Sequence, residues 1–193
     1  MSPKKRGKMK FFNLKRNFGI LIDENNREIK VYRNHFIGPP LGSRDEVYYI
    51  DRPGRNPGVD QIESVFADYY KKNVLKLSEC DYDQFCDFSL AYAKKITGYE
   101  DQQNGHKDRQ DKVTTSMIRK VYTQMMRARS VLELKRMRPQ FAYIAGRNAD
   151  NLRVNELTYI LDNIVKNAKD QKHLENIQEF LECIVAYMKF VGE

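Results

Sequence analysis

The sequence predicts an α+β chain of two domains, a small five-stranded β-barrel followed by an all-helical bundle. Three observations lead there. The first 66 residues hold five short strand-like segments separated by Asn-, Gly-, Pro- and Asp-rich turns. From Phe66 onward Gly and Pro become rare and the apolar period changes from two to helical. The length, 193 residues, is enough for two small cores. Domains are therefore expected at 1–66 and 67–193.

The strand candidates are Lys8–Phe12, Phe18–Ile22, Glu28–Tyr32, Glu46–Ile50 and Gln61–Val65. Five such strands with no long helix in so short a stretch suggest a small closed barrel. The helical part opens with Val65–Leu77 and Tyr82–Ile96, the latter with Asp81 as N-cap. Residues 100–112 contain no aliphatic or aromatic side chain and read as a mobile loop. A helix is expected from Thr114 or Thr115 to Leu132, with an apolar stripe of Ile118, Val121, Met125 and Leu132, and a short helix after Pro139. Two long helices close the chain. One aligns Val154, Leu157, Ile160, Leu161, Ile164, Val165 and Ala168; the other aligns Leu174, Ile177, Phe180, Leu181, Ile184, Val185 and Met188. Matching stripes of this kind predict an antiparallel hairpin around a shared core.

Composition narrows the function classes. Hydrophobic residues at 41% and charged residues at 31% fit a folded chain. No apolar run approaches the roughly 18 residues needed to span a bilayer, and Met1–Lys10 is basic without a signal-peptide core, so no membrane partner and a cytoplasmic location are expected. Cys80, Cys86 and Cys183 form no Cys-x-x-Cys pair, which argues against a zinc site or a disulfide framework, and Cys183 reads as a buried free thiol. His35, His106 and His173 are scattered. No catalytic constellation, metal site or cofactor motif emerges, and a non-enzymatic protein is expected.

The net charge of +8 is unevenly placed. Residues 1–66 carry 13 Lys/Arg against 8 Asp/Glu, and residues 113–147 carry 8 against the single acid Glu133. The intervening and final stretches are near neutral or acidic. Two separate cationic blocks point to a polyanionic partner, and six of the eight cations in the second are arginine, the better phosphate ligand. The alternative is a merely solvated basic surface.

In the first block, Gly7-Lys8-Met9-Lys10-Phe11-Phe12-Asn13 is followed by Arg16-Asn17-Phe18-Gly19-Ile20-Leu21 and Glu28-Ile29-Lys30-Val31-Tyr32. Plain alternation sends Lys10, Phe12, Phe18 and Tyr32 to one face or its rim and leaves the parity of Phe11 open. Exposed aromatics interleaved with cations suit single-stranded nucleic acid, since bases stack on rings while cations follow phosphates. Some of these rings must instead fill the barrel. Residues 7–65 resemble a bacterial cold-shock domain of the OB type, including the ending Asn56-Pro57-Gly58-Val59-Asp60-Gln61-Ile62. The resemblance implies Lys10, Phe11, Asn13, Phe18 and Tyr32 as nucleic-acid contacts, with Arg16, Lys30 and Arg33 beside them. Phe11 stands where that family has tryptophan, while Ile20, Lys30 and Arg33 replace aromatic positions. Losing two stacks removes about 2–6 kcal/mol, so weak binding by this domain alone is expected.

In the second block, Arg119, Thr123 and Arg127 recur every four residues with Lys120 beside them, the two arginines about 12 Å apart along the axis. Arg129, Lys135, Arg136, Arg138 and Arg147 follow. Any one of them suits a cap or a surface ion pair; the group suits RNA phosphates. Thr114-Thr115-Ser116-x-Ile118-Arg119, Arg138-Pro139-x-x-Ala142-Tyr143-x-x-Gly146-Arg147 and Phe180-x-x-x-Ile184-Val185-Ala186-Tyr187-x-Lys189-Phe190-x-Gly192 resemble the small subunit of the type III-A (Csm) CRISPR–Cas effector complex over roughly residues 82–193. The resemblance implies a non-catalytic helical bundle that supports a guide RNA–target RNA duplex beside other effector subunits and copies of itself. A cold-shock-like barrel lies outside that family's usual pattern. Two other readings compete: a free-standing RNA chaperone, which requires residues 1–66 to bind RNA alone, and a structural adaptor that makes only protein contacts.

Overall fold

The computed structural model describes residues 3–52, 58–99 and 111–192. It divides into two compact units, Met1–Asp68 and Tyr69–Glu193. The expected loop at 100–112 lies outside the described residues for all but Asp111 and Lys112, as do Asn56 and Pro57.

The first unit is a five-stranded antiparallel sheet: β1 (Lys5–Asn13), β2 (Phe18–Asp23), β3 (Glu28–Tyr32), β4 (Glu46–Arg52) and β5 (Gly58–Ser64). The strand order is β3-β2-β1-β4-β5. Its inner face buries Met9, Leu21, Val31, Phe36, Leu41, Val47, Tyr49, Val59 and Ile62. Such side chains each contribute about 1.5–3 kcal/mol on full burial. The tight turn between β2 and β3 is tied by Asp23, whose carboxylate accepts the backbone N–H groups of Asn25 and Arg27 at 2.8 Å.

The expected barrel closure is corrected: β3 and β5 form no ladder among the described residues. The reason lies at their edges. Residues Arg33–His35 turn as a 3-10 helix, and His35 Nδ1 accepts the Tyr32 backbone N–H at 3.3 Å, a donor that a neighbouring strand would otherwise take. On the other edge the Ile62 carbonyl oxygen accepts from Ile37 N–H at 2.9 Å, with a parallel bridge between Phe36 and Ile62. The segment after β3 thus fills the gap that direct pairing would close.

In the second unit the helices are α1 (Val65–Asn73, which begins in the first unit), α2 (Tyr82–Thr97), α3 (Thr115–Arg127), α4 (Val131–Lys135), α5 (Arg138–Arg147), α6 (Leu152–Asn167) and α7 (Gln171–Gly192). The helix expected to reach Leu77 stops at Asn73, where the Asn73 side chain bonds back to the Tyr69 carbonyl at 2.9 Å, and a kinked 3-10 segment, Val74–Glu79, follows. Asp81 caps α2 as expected, accepting from Gln84 N–H at 3.1 Å. Gly98 ends α2 in the left-handed region at φ 71°, where a side chain is strained.

Two further expectations are corrected. The helix predicted from Thr115 to Leu132 breaks at Ala128. Gln178 of α7 donates to the carbonyls of Met125 and Ala128 at 3.1 Å, occupying the groups a continuing helix would need, and Ser130 caps a new start by accepting from Glu133 N–H. Leu134 takes the buried position and Leu132 is 60% exposed. The closing helices bury their stripes, Val185 only in part, yet their main neighbours are other helices: α6 lies along α5, and α7 along α2, α3 and the 3-10 segment. Tyr70, Phe85, Tyr92 and Phe180 form the aromatic centre of this core. No helix among the described residues is long and apolar enough to cross a membrane.

Candidate nucleic-acid interface

The parity of the sheet's aromatic residues depends on one β-bulge. Met9 pairs with Leu21 and Phe11 with Ile20, so Lys10 is the extra residue on β1. The turn at residues 42–45 grips this bulge, with Met9 N–H donating to Asp45 O at 2.9 Å, Arg44 N–H to Met9 O at 2.7 Å and Ser43 Oγ to Lys10 O at 2.7 Å. One inserted residue reverses every later side chain on the strand. Phe11 therefore turns outward, and Phe12 turns inward to meet Phe36 edge to face at 5.2 Å. Plain alternation had paired Phe12 with Phe18 and Tyr32; Phe11 takes that place.

The outer face is a small grid. Phe11, Ile20 and Lys30 lie in register across β1, β2 and β3, and Asn13, Phe18 and Tyr32 form the adjacent row. Phe11 and Tyr32 are 37% and 44% exposed. Phe11 and Phe18 meet edge to face at 5.9 Å. Lys30 Nζ stands 5.1 Å from the Phe18 centroid and 5.4 Å from that of Tyr32, a cation–π contact with both rings. Lys10 is exposed and paired with Glu28. Asn13 Oδ1 accepts from Arg16 N–H at 2.9 Å, which fixes the β1–β2 turn and leaves the Arg16 side chain in solvent; Arg33 is likewise exposed beyond β3. Arg6 and Tyr48 are additions that only the register reveals: they pair across β1 and β4, with the guanidinium 5.6 Å from the ring.

Gly19 makes the grid possible. A Cβ there would lie 2.3 Å from the Phe11 carbonyl oxygen and 2.8 Å from Phe12 Cδ2. Gly19→Ala must push β1 and β2 apart beneath the rings. It is expected to lower the unfolding free energy of the sheet unit by about 1–3 kcal/mol, measured by urea unfolding with the fluorescence of its tyrosines.

The helical unit carries the second cationic surface. On α3, Ile118, Val121 and Met125 are buried while Arg119, Lys120, Thr123 and Arg127 are exposed. Arg119 and Arg127 fall within one side of the helix, because eight residues at 100° each return to within 80°. Thr115, Ser116, Arg119, Lys120 and Thr123 line a shallow depression at the helix start. None of Arg119, Lys120, Arg127, Arg136 and Arg147 has a carboxylate at ion-pair distance among the described residues. Arg129 and Arg136 are exposed, Lys135 is half-buried at the end of α4, and Arg147 is exposed at the end of α5, reaching Tyr143 Oη at 3.5 Å. Arg138 differs: its Nε and Nη2 hold the Asp162 carboxylate at 2.7 and 3.0 Å, tying α5 to α6.

The cysteines are free thiols, and Cys183 is half-buried where full burial was expected. Burial pushes its thiol up to about 11, so it stays protonated and a poor nucleophile at neutral pH.

The two units define a class: a sheet-plus-helix chain whose helical part presents exposed arginines, among them Arg119 and Arg127, with no carboxylate partner among the described residues. Residues 91–193, just over half of the chain, match the family Csm2 Type III-A, and the chain belongs to that family. It is thus a small subunit of a type III-A CRISPR effector, a structural component of a complex with other subunits. No curated protein matches the chain.

Proposed function

We propose that the chain is a non-catalytic RNA-binding subunit of the effector, which holds guide and target RNA by their backbones through its helical unit and engages unpaired RNA through its sheet. The observation that carries this reading is α3. Its arginines point to solvent without carboxylate partners among the described residues, in a stretch with one acid. Arg119, Lys120 and Arg127 contact consecutive phosphates; Arg129, Lys135, Arg136 and Arg147 extend the path. Arg138 contributes only its outer Nη1, since Asp162 occupies the rest of its fork. Backbone contacts read no sequence, which suits a complex whose guide supplies specificity by base pairing.

For residues 7–65 the strand order β3-β2-β1-β4-β5 and the outward row of Phe11, Phe18 and Tyr32 support an OB-type, cold-shock-like stacking surface. Lys10, Asn13, Arg16, Lys30 and Arg33 surround those rings. The helical unit's remaining surface serves other subunits and neighbouring copies, in the cytoplasm, with no cofactor.

Salt dependence tests the reading. Four phosphate contacts to a single strand give a log–log slope of Kd against salt of about 3 in magnitude. An adaptor that binds only protein gives none. A flat salt response of the full chain against labelled RNA sinks the proposal.

A further inference from the structure

His35 is buried at 7% exposure, beside the stacking face but outside it. Its two ring nitrogens meet two donors: Nδ1 faces the Tyr32 backbone N–H at 3.3 Å, and Nε2 lies 3.3 Å from Arg52 Nη2. The His35 ring also meets the Tyr32 ring edge to face at 5.6 Å. A neutral imidazole has one accepting nitrogen, and a protonated one has none. With the proton on Nε2 the ring accepts from the Tyr32 N–H, and Arg52 Nη2, a donor only, has its acceptor in the Val59 carbonyl at 3.4 Å instead of in Nε2. A second proton would remove that acceptor and set a cation against the Arg52 guanidinium within the sheet unit.

The charged groups acting on the ring are Arg52 from β4 and Asp60 from β5, and β3 contributes the Tyr32 N–H and ring. Burial foremost, then Arg52, holds His35 below the ordinary histidine range, with Asp60 opposing. The neutral form is therefore the folded form. The stability it carries is complete above the ordinary histidine range and is lost as the pH falls from there through the lower value of the folded state.

We propose that His35 is a positioning residue for Tyr32: when neutral it ties the end of β3 and holds the phenol ring on the outer face, and when protonated it releases that ring, so that single-stranded RNA binds more weakly as the pH falls. The inference rests on the sheet being a stacking surface. Its sign opposes bare electrostatics, in which protonating any histidine adds positive charge and strengthens the hold on a polyanion.

The test uses the full chain and a fluorescein-labelled oligouridylate at constant ionic strength. Weakening one base stack is expected to raise Kd about 3–10-fold between about pH 7.5 and about pH 5.5. His35→Gln keeps an acceptor for the Tyr32 N–H and does not titrate; it should bind like the parent at neutral pH and flatten the profile. His35→Ala should bind weakly throughout. In parallel, the Tyr32 amide resonance of the unsubstituted chain should shift with the same midpoint as the His35 ring, in the absence of RNA. A Kd that is flat or falls on acidification, a profile that survives His35→Gln, or a Tyr32 amide that ignores the ring titration overturns the inference. A neutral-pH Kd of the full chain that Phe18→Ala with Tyr32→Ala leaves unchanged instead overturns the stacking reading, while the amide titration still decides whether His35 positions Tyr32.

Discussion

Lys95→Met is expected to destabilise the helical unit by about 3–5 kcal/mol, with a fall in Tm on the order of 10–20 °C. Lys95 on α2 places its Nζ 2.9 Å and 2.7 Å from the two carboxylate oxygens of Glu156 on α6. The Lys95 side chain is 10% exposed and that of Glu156 only 1%. Removing the ammonium takes the Lys95 cation from a carboxylate that is almost wholly out of water, and the cost to that poorly solvated charge exceeds the attraction lost. A stability of roughly 5–15 kcal/mol makes such a loss a large fraction of the total. Lys95→Met combined with Glu156→Leu replaces both charges by apolar groups and should restore most of the midpoint. Differential scanning calorimetry near pH 7 measures both the single and the double variant. A single variant that melts with the parent chain shows that the pair does not bridge α2 and α6.

The features legible in the sequence were those set by local chemistry. Asp81 capping Gln84, the buried stripes of α6 and α7 and the positions of the strands follow from residue type and period. Those missed depend on partners distant in sequence. The break at Ala128 is held by Gln178, 50 residues from Ala128, which takes the Met125 and Ala128 carbonyls; the local Ser130 cap on Glu133 N–H only starts the next helix. The inversion of Phe11 and Phe12 comes from a bulge held by residues 42–45, and a period-two reading has no access to an extra residue. The hairpin expected of α6 and α7 rested on matched stripes, but an apolar stripe states only that a face is buried, not which helix covers it. The candidate site was legible in the same measure. The arginines of α3 were visible as a row, whereas the engagement of Arg138 by Asp162 and the placement of His35 beneath Tyr32 required the fold.

Phe18→Ala with Tyr32→Ala carries the largest expected effect on RNA. Each base–ring stack contributes about 1–3 kcal/mol, so the pair should weaken single-strand binding by the sheet by about 2–6 kcal/mol while leaving the salt slope nearly unchanged. Both rings lie on the outer face and fill no part of the buried core, so the loss should not reflect unfolding. Lys30 bears on the size of the effect, because its ammonium already lies against both rings in the free protein and an incoming base must displace it. Displaced, it becomes available to a phosphate, which offsets part of the lost cation–π contact. The helical surface should behave in the opposite manner. Arg119→Ala with Arg127→Ala should reduce the salt slope by about 1.4, two contacts at roughly 0.7 each, and weaken binding alike for single strands and duplexes. Measuring both pairs of variants against a single strand and a duplex at two salt concentrations separates stacking from phosphate neutralisation. If the aromatic pair changes nothing while the arginine pair does, the helical unit alone carries the RNA and the sheet's outward rings face another protein.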